Sequence, residues 1–339
     1  MPDLAVRPDI EQPRHAASLR QDGNPGVART SPLVSLSPIG ASRLGAAGVA
    51  LVAAAVLLGA SPRSGSDGIS GGHALDPRLF SPGSCESFAP TSAQRAATVF
   101  IDAGHGGPDP GAVAMTVAGK TVEEASATLR VALDTLPLLR AQGYRVVLSR
   151  TGATAVARPL PGDLSGGVFT GQGVHRDLIA RDLCANRAKA NILLGVYFNA
   201  SVSAAAGGGL TLYDAVRPFW RASMRLSDLV QRAVLARLSA GGWSIPDDGV
   251  HTDVGFGSSV TSADQAYGHL LILGPAKAGY FSTPSEMPGA LIEPLFISNP
   301  SEASIADSGL GQQAIARGLA TAVEQYFSPV SRHSASAAT

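Results

Sequence analysis

Three features of this 339-residue sequence predict an α/β fold: a mainly parallel, twisted sheet with helices on both faces. Beyond about residue 95, short apolar runs alternate with longer segments whose apolar residues recur at helical spacing. The short runs are apolar almost throughout, as strands covered on both faces require. Hydrophobic residues make up 45% of the chain, too many for a mostly disordered protein and enough for a sizeable core.

Residues 1–43 are rich in Pro, Ser and Arg without a sustained apolar period, which predicts a disordered arm. The run LGAAGVALVAAAVLLGA at 44–60 carries no charge and is flanked by Arg43 and Arg63. It reads as one transmembrane helix, with the arm inside and everything after it outside. A cleaved signal segment is the alternative, weakened by the long arm and the poor cleavage site near Ala60. The first reading gives a single-pass protein of the cell membrane with an extracytoplasmic domain; the second gives a secreted one.

Residues 61–95 read as a Gly/Ser/Pro linker, residues 96–328 as the folded domain and 329–339 as a disordered tail. Within the domain the expected order is strand ATVFIDAG, a helix from about Glu123 to Gln142, and strand YRVVLSR. A helix from Arg176 to Ala190 leads into strand ILLGVYFN, and strand GLTLYD precedes a helix at 217–240. Strands HLLILG and GALIEPLF and a helix from Gly311 to Tyr326 complete it. The segments at 154–174 and from Trp243 to Pro288 exceed simple connections and are expected to rim a groove.

With 26 basic and 26 acidic residues the net charge is zero, which gives no general attraction to nucleic acid. The two cysteines, Cys85 and Cys184, exclude a thiolate zinc finger but allow one disulfide, predicted here because both lie in an exported region.

Candidate chemistry gathers in four places. VFIDAGHGGPDPGAV, from Val99, places His105 past a strand end in a glycine-rich turn. A phosphate-cradling loop fails on spacing, and Pro108 and Pro110 remove amide donors, which leaves a metal ligand or a solvated histidine. Glu124 opens the first long helix, where a carboxylate also suits the macrodipole, as Glu123 would. Asn199 closes its strand. Glu293 interrupts an apolar strand, and a buried carboxylate there calls for an arginine partner or a chemical role.

VFIDAGHGGPDPGA, EASATL, DLIARDLCANRAKAN, VYFNAS and LIEPLFISNPSE stand in an order and spacing that resembles the zinc-dependent N-acetylmuramoyl-L-alanine amidases of type 3, over about residues 97–328. The resemblance implies Zn²⁺ as cofactor, His105 and Glu124 as ligands, and Glu293 as the catalytic glutamate. Glu124 is preferred to Glu123 because it places Leu129 and Ala132 at the family's following apolar positions. Asn199 and Arg181 are implied as structural or substrate-positioning. Tyr197 stands where the family has its third ligand, a histidine, and ligates zinc only as phenolate. His175, His251 and His269 are the other candidates for that position. Peptidoglycan is the implied partner, with room for a protein activator. The implied activity is hydrolysis of the amide between N-acetylmuramic acid and L-alanine; the alternative is a degenerate protein that binds cell-wall glycopeptide or regulates another hydrolase.

Overall fold

The structure, a computed structural model, describes residues 71–254, 264 and 267–328. The arm, the apolar run 44–60 and the tail 329–339 lie outside the described residues. Among the described residues no helix is long and apolar enough to cross a membrane.

The strands are β1 (Gly72–Ala74), β2 (Ser84–Phe88), β3 (Thr98–Ala103), β4 (Val113–Met115), β5 (Thr121–Glu123), β6 (Arg145–Arg150), β7 (Leu164–Ser165), β8 (Val168–Phe169), β9 (Ile192–Val196), β10 (Gly209–Tyr213), β11 (Asp247–Thr252) and β12 (Gly289–Glu293). The helices are α1 (Glu124–Ala141), α2 (Gly171–Arg187), α3 (Trp220–Ala240), α4 (Pro300–Asp307) and α5 (Gly309–Phe327). Eight strands form one sheet in the order β1-β2-β6-β3-β9-β12-β10-β11. The central four, β6, β3, β9 and β12, are parallel, because each is joined to the next through a helical crossover. β10 runs antiparallel to β12, and β11 runs parallel to β10. Two hairpins, β4-β5 and β7-β8, stand apart from this sheet.

Both faces of the central strands are covered. On one face Val99, Ile101, Leu194 and Ile292 pack with Val131 and Leu136 of α1, Val230 of α3 and Leu319 of α5. On the other, Phe100, Leu193 and Leu291 pack with Ala180 and Cys184 of α2 and with Leu270, Ile272 and Leu273. The period-2 alternation of strand side chains thus feeds two cores from one apolar run. Helix starts follow local capping chemistry: the Thr170 hydroxyl accepts from the Gly173 amide, Asn299 from Ser301 and Glu302 ahead of Pro300, and Ser308 from Gly311.

Three expectations from the sequence need correction. Residues 72–88 are not linker: β2 pairs antiparallel with β6 and β1 antiparallel with β2, extending the sheet, and Phe80, Cys85 and Phe88 are buried. Their Gly- and Ser-rich surroundings hide a strand, SCESF, whose serines and glutamate give it no apolar run. HLLILG is not a strand but a buried turn, closed by the Leu273 and Gly274 amides on the Leu270 carbonyl. The segment from Trp243 to Pro288 supplies the edge strand β11 and that turn, so its described part fills a face and an edge of the sheet.

Cys85 and Cys184 are joined by a disulfide with a Cα–Cα distance of 5.6 Å, which ties β2 to α2 across a sequence separation of 99. Closing a loop of that length restricts the unfolded chain, worth about 4.7 kcal/mol in the loop-entropy treatment. C85A/C184A is therefore expected to lower the unfolding free energy by about that amount or more, both sulfurs being buried. Urea titration of the variant against the oxidised parent checks it; equal midpoints would show that the bond contributes nothing.

Candidate active site

The carboxyl ends of β3, β9 and β12 meet the amino end of α1, and there the sequence places its polar side chains. His105 follows β3 with φ at 60°, a left-handed conformation that a glycine-rich turn accommodates. Its ring is buried, with Nδ1 2.8 Å from Asp109 Oδ2 and Nε2 3.1 Å from Glu124 Oε1. Gly111 makes this approach sterically possible, since a Cβ there would lie 2.7 Å from His105 Cδ2 and 2.8 Å from Glu124 Oε2. Burial opposes a charge on the imidazole, but the carboxylates of Glu124 and Asp109 at its two nitrogens outweigh it and push its pKa up to about 10.

The β4-β5 hairpin delivers Glu124 to the site, with Glu123 exposed and Glu124 buried. Glu124 Oε1 also accepts the Phe198 amide at 2.9 Å, and Oε2 the Ala112 amide at 3.0 Å. These bonds fix the carboxylate plane. Glu293 ends β12 with 6% exposure, and among the described residues it forms no ion pair with an arginine. Burial and the nearby Glu124 charge raise its pKa to about 8, against a smaller opposing effect of His105.

Tyr197 is not turned into a metal ligand. Its hydroxyl donates to Asp102 Oδ2 at 2.9 Å, and the ring sits edge-on to His105 at 5.4 Å between centroids. Burial and the Asp102 charge hold the phenol well above its usual pKa, so the phenolate that zinc would require is disfavoured. The pleat of β9 decides this, because Tyr197 follows Leu193 onto the α2 face, where the Asp102–Arg181 pair lies. Nor does another histidine take its place. Among the described residues no third His, Cys or carboxylate ligand atom lies within 4.8 Å of both His105 and Glu124. His175 stacks on Tyr280, the exposed His251 bonds the Asp248 carbonyl, and His269 pairs with Asp214 and Asp253.

Arg181 is also reassigned. All five guanidinium protons are matched within the protein: Nε and Nη2 donate to Asp177 Oδ2, Nη1 to Asp102 Oδ1 and the Ala103 carbonyl, and Nη2 to the His105 carbonyl at 2.7 Å. With 1% exposure it has nothing left for substrate; it holds the His105 turn onto α2. Asn199 remains part-exposed at the end of β9, where its backbone bridges to Phe296 and its Oδ1 accepts the Ala200 amide. Asp109 and Asp102 were not singled out from sequence. For Asp109 a signal existed, an acidic residue four positions after His105 in a turn bounded by two prolines; for Asp102, inside an apolar strand, the same reasoning applied to Glu293 would have raised it.

Comparison with known proteins follows this geometry. The family described as N-acetylmuramoyl-L-alanine amidase matches residues 99–325. A curated relative, the germination-specific N-acetylmuramoyl-L-alanine amidase of Bacillus subtilis, is 26% identical over 229 residues, covering 68% of this chain and 79% of its own. Among solved structures, the CwlD amidase of Clostridioides difficile, determined in complex with the GerS lipoprotein, aligns with a TM-score of 0.51 at 21% identity, over 68% of this chain and 98% of that one. An amidase from Clostridium difficile 630 aligns at 0.47 and 23% identity, over 68% and 96%.

Proposed function

Because the chain belongs to the N-acetylmuramoyl-L-alanine amidase family, we propose that His105 and Glu124 hold a metal ion and that Glu293 is the base of its reaction. The protein is a peptidoglycan hydrolase that cuts the amide between N-acetylmuramic acid and the L-alanine of the stem peptide.

One observation carries the metal assignment. His105 Nε2 and Glu124 Oε1 lie 3.1 Å apart with His105 Nδ1 held by Asp109 at 2.8 Å; in the metal-free chain the raised pKa of His105 puts a proton between them, and a cation that displaced that proton would be held by the same nitrogen and oxygen. A carboxylate on the far nitrogen is also the usual support of a metal-bound imidazole. An imidazole nitrogen and a carboxylate oxygen are donors that zinc takes, and the third donor of the family pattern is replaced here by Tyr197, which serves Asp102. Zinc there would supply Lewis acidity to the scissile carbonyl and a lowered pKa to water.

The chain's own groups do the rest. Glu293, buried beside Glu124 and His105, would act in its ionised form, taking a proton from water and returning it to the leaving amine. Asp109 orients the His105 ring, the Phe198 and Ala112 amides orient Glu124, and Arg181 anchors the turn that carries both. The same reading places the domain outside the cytoplasmic membrane, tethered through residues 44–60, and the Cys85–Cys184 bond supports it, since such bonds persist in oxidising compartments. A protein activator belongs to the proposal on the precedent of the relative solved with a lipoprotein.

The test is zinc affinity with hydrolysis. Glu124→Gln is expected to weaken zinc binding at least tenfold and to abolish release of labelled peptidoglycan fragments. Zinc affinity of the His105–Glu124 site left unchanged in Glu124→Gln would overturn the assignment.

A further inference from the structure

At the opposite end of the sheet lies a second group of chemistry-bearing side chains that the amidase site does not use. β10 is antiparallel to β12, with Leu210 opposite Glu293, so the chain leaves β10 at the edge remote from the amidase site. Asp214 lies four residues past Leu210, about 14 Å further along the sheet at the usual strand rise. Asp253 follows the adjacent parallel strand β11, its amide bonded to the Tyr213 carbonyl, and His269 opens the buried turn beneath them. One ligand atom from each of Asp214, Asp253 and His269 falls within 4.8 Å of the other two, the only such trio among the described residues.

The cluster is more than acidic residues in proximity. Asp214 is 2% exposed, and while its Oδ1 accepts the Val216 and Arg217 amides, its Oδ2 points into the cluster and accepts no hydrogen bond. A buried carboxylate oxygen left in that state costs free energy unless something else satisfies it. His269 Nδ1 lies 3.0 Å from that oxygen and 3.4 Å from both Asp253 oxygens, one of which accepts the Leu270 amide. A single N–H is directional and satisfies one acceptor well; it does not serve three oxygens spread around it. Three donors placed tetrahedrally about an ion at about 2.1 Å stand about 3.4 Å from one another, close to the 3.0 and 3.4 Å from His269 Nδ1 to Asp214 and Asp253. Charge points the same way. Two aspartates with an imidazolium leave one negative charge, whereas two aspartates with a neutral imidazole cancel a divalent cation. The guanidinium of Arg217 is taken up by the carbonyls of Gly274 and Ser285, so its charge acts on Asp214 without a hydrogen bond to the cluster.

We propose that Asp214, Asp253 and His269 form a second, structural metal site for a divalent ion of the zinc class, separate from the amidase centre. An imidazole beside two carboxylates suits a borderline ion such as Zn²⁺ better than Ca²⁺ or Mg²⁺, which favour all-oxygen cages. The ion would clamp the ends of β10 and β11 to the buried turn at 269–274, joining the edge of the sheet to the face that α2 covers. This holds whether or not the amidase centre takes zinc.

The experiment counts metal. The purified full chain is stripped with a chelator, reloaded with zinc, desalted and analysed for metal per chain, alongside Asp214→Asn, Asp253→Asn and His269→Ala. The expected result is one equivalent less in each variant than in the parent, together with loss of the zinc-dependent rise in melting temperature, and with peptidoglycan hydrolysis kept within a few-fold. Because the readout is a difference, it stands even if the His105–Glu124 pair binds nothing. Equal zinc in parent and variants would overturn the site. If the two Asn variants fail to fold, His269→Ala, at a 20% exposed side chain, carries the comparison, and a parent that takes up no zinc outside His105 and Glu124, read as zero equivalents in H105A/E124Q, overturns the proposal without any of the three.

Discussion

Glu293→Gln is expected to abolish hydrolysis while making the metal-free protein more stable at neutral pH. Glutamine keeps the shape and the two polar atoms and loses the base, so the rate should fall by about 10²–10⁴, the range attributed to general acid–base catalysis. The stability gain follows from linkage. Burial and Glu124 raise the Glu293 pKa from 4.5 to about 8 in the folded chain, so between those values the folded state binds the extra proton. Below about pH 4.5 the carboxyl is protonated in both states and contributes nothing. As pH rises towards 8, the unfolded state ionises freely and the folded state does not, and stability declines. The Gln variant escapes that decline, which at about 1.4 kcal/mol per pKa unit amounts to a few kcal/mol above pH 8. Urea midpoints of both proteins in chelator at pH 4.5 and pH 8.5 would show the gap opening with pH. A gap that is constant or closes, or a variant that digests peptidoglycan at the parental rate, would remove Glu293 from this role.

Arg181→Met should be among the most destabilising single changes in the protein, at about 3–5 kcal/mol, the range for breaking a buried ion pair from one side. It strands Asp102, whose side chain is 0% exposed, and Asp177, at 7%. It also releases the His105 carbonyl. Arg181→Lys should not rescue the loss, because an ammonium supplies three protons where five bonds are made along three directions. Activity per folded molecule, assayed below the melting temperature, should fall in both variants if Arg181 positions the His105 turn. Unchanged activity with lowered stability would confine the residue to the core.

The apolar runs at β3, β6, β9, β10 and β12 were legible as strands because each is long enough to show a fully buried pattern, and the helices because their apolar residues recur over three or more turns. β2 was not legible, since SCESF is no longer than β9 or β12 but carries two serines and a glutamate where those are apolar, and the apolar run of six in HLLILG does not distinguish a strand from a buried turn. At the site, His105, Glu124 and Glu293 could be named from residue type and place, as a glycine-rich turn, a helix start and a carboxylate in an apolar strand each break a local rule. What sequence alone determined is thus the sequence of strands and helices and the identity of residues that local chemistry makes anomalous.

The tertiary structure decided partnership. That Tyr197 serves Asp102 instead of a metal depends on the side of β9 on which its ring emerges and on what α2 places there. That Arg181 has no proton left for substrate depends on five hydrogen bonds to four acceptors, three at residues 102–105 and one on Asp177. Asp214, Asp253 and His269 meet only because β10 reverses direction against β12, and no spacing in the sequence encodes that reversal. The physical reason is common to all three: a side chain's chemistry is set by the two or three groups within hydrogen-bond distance, and those come from segments that only the fold brings together.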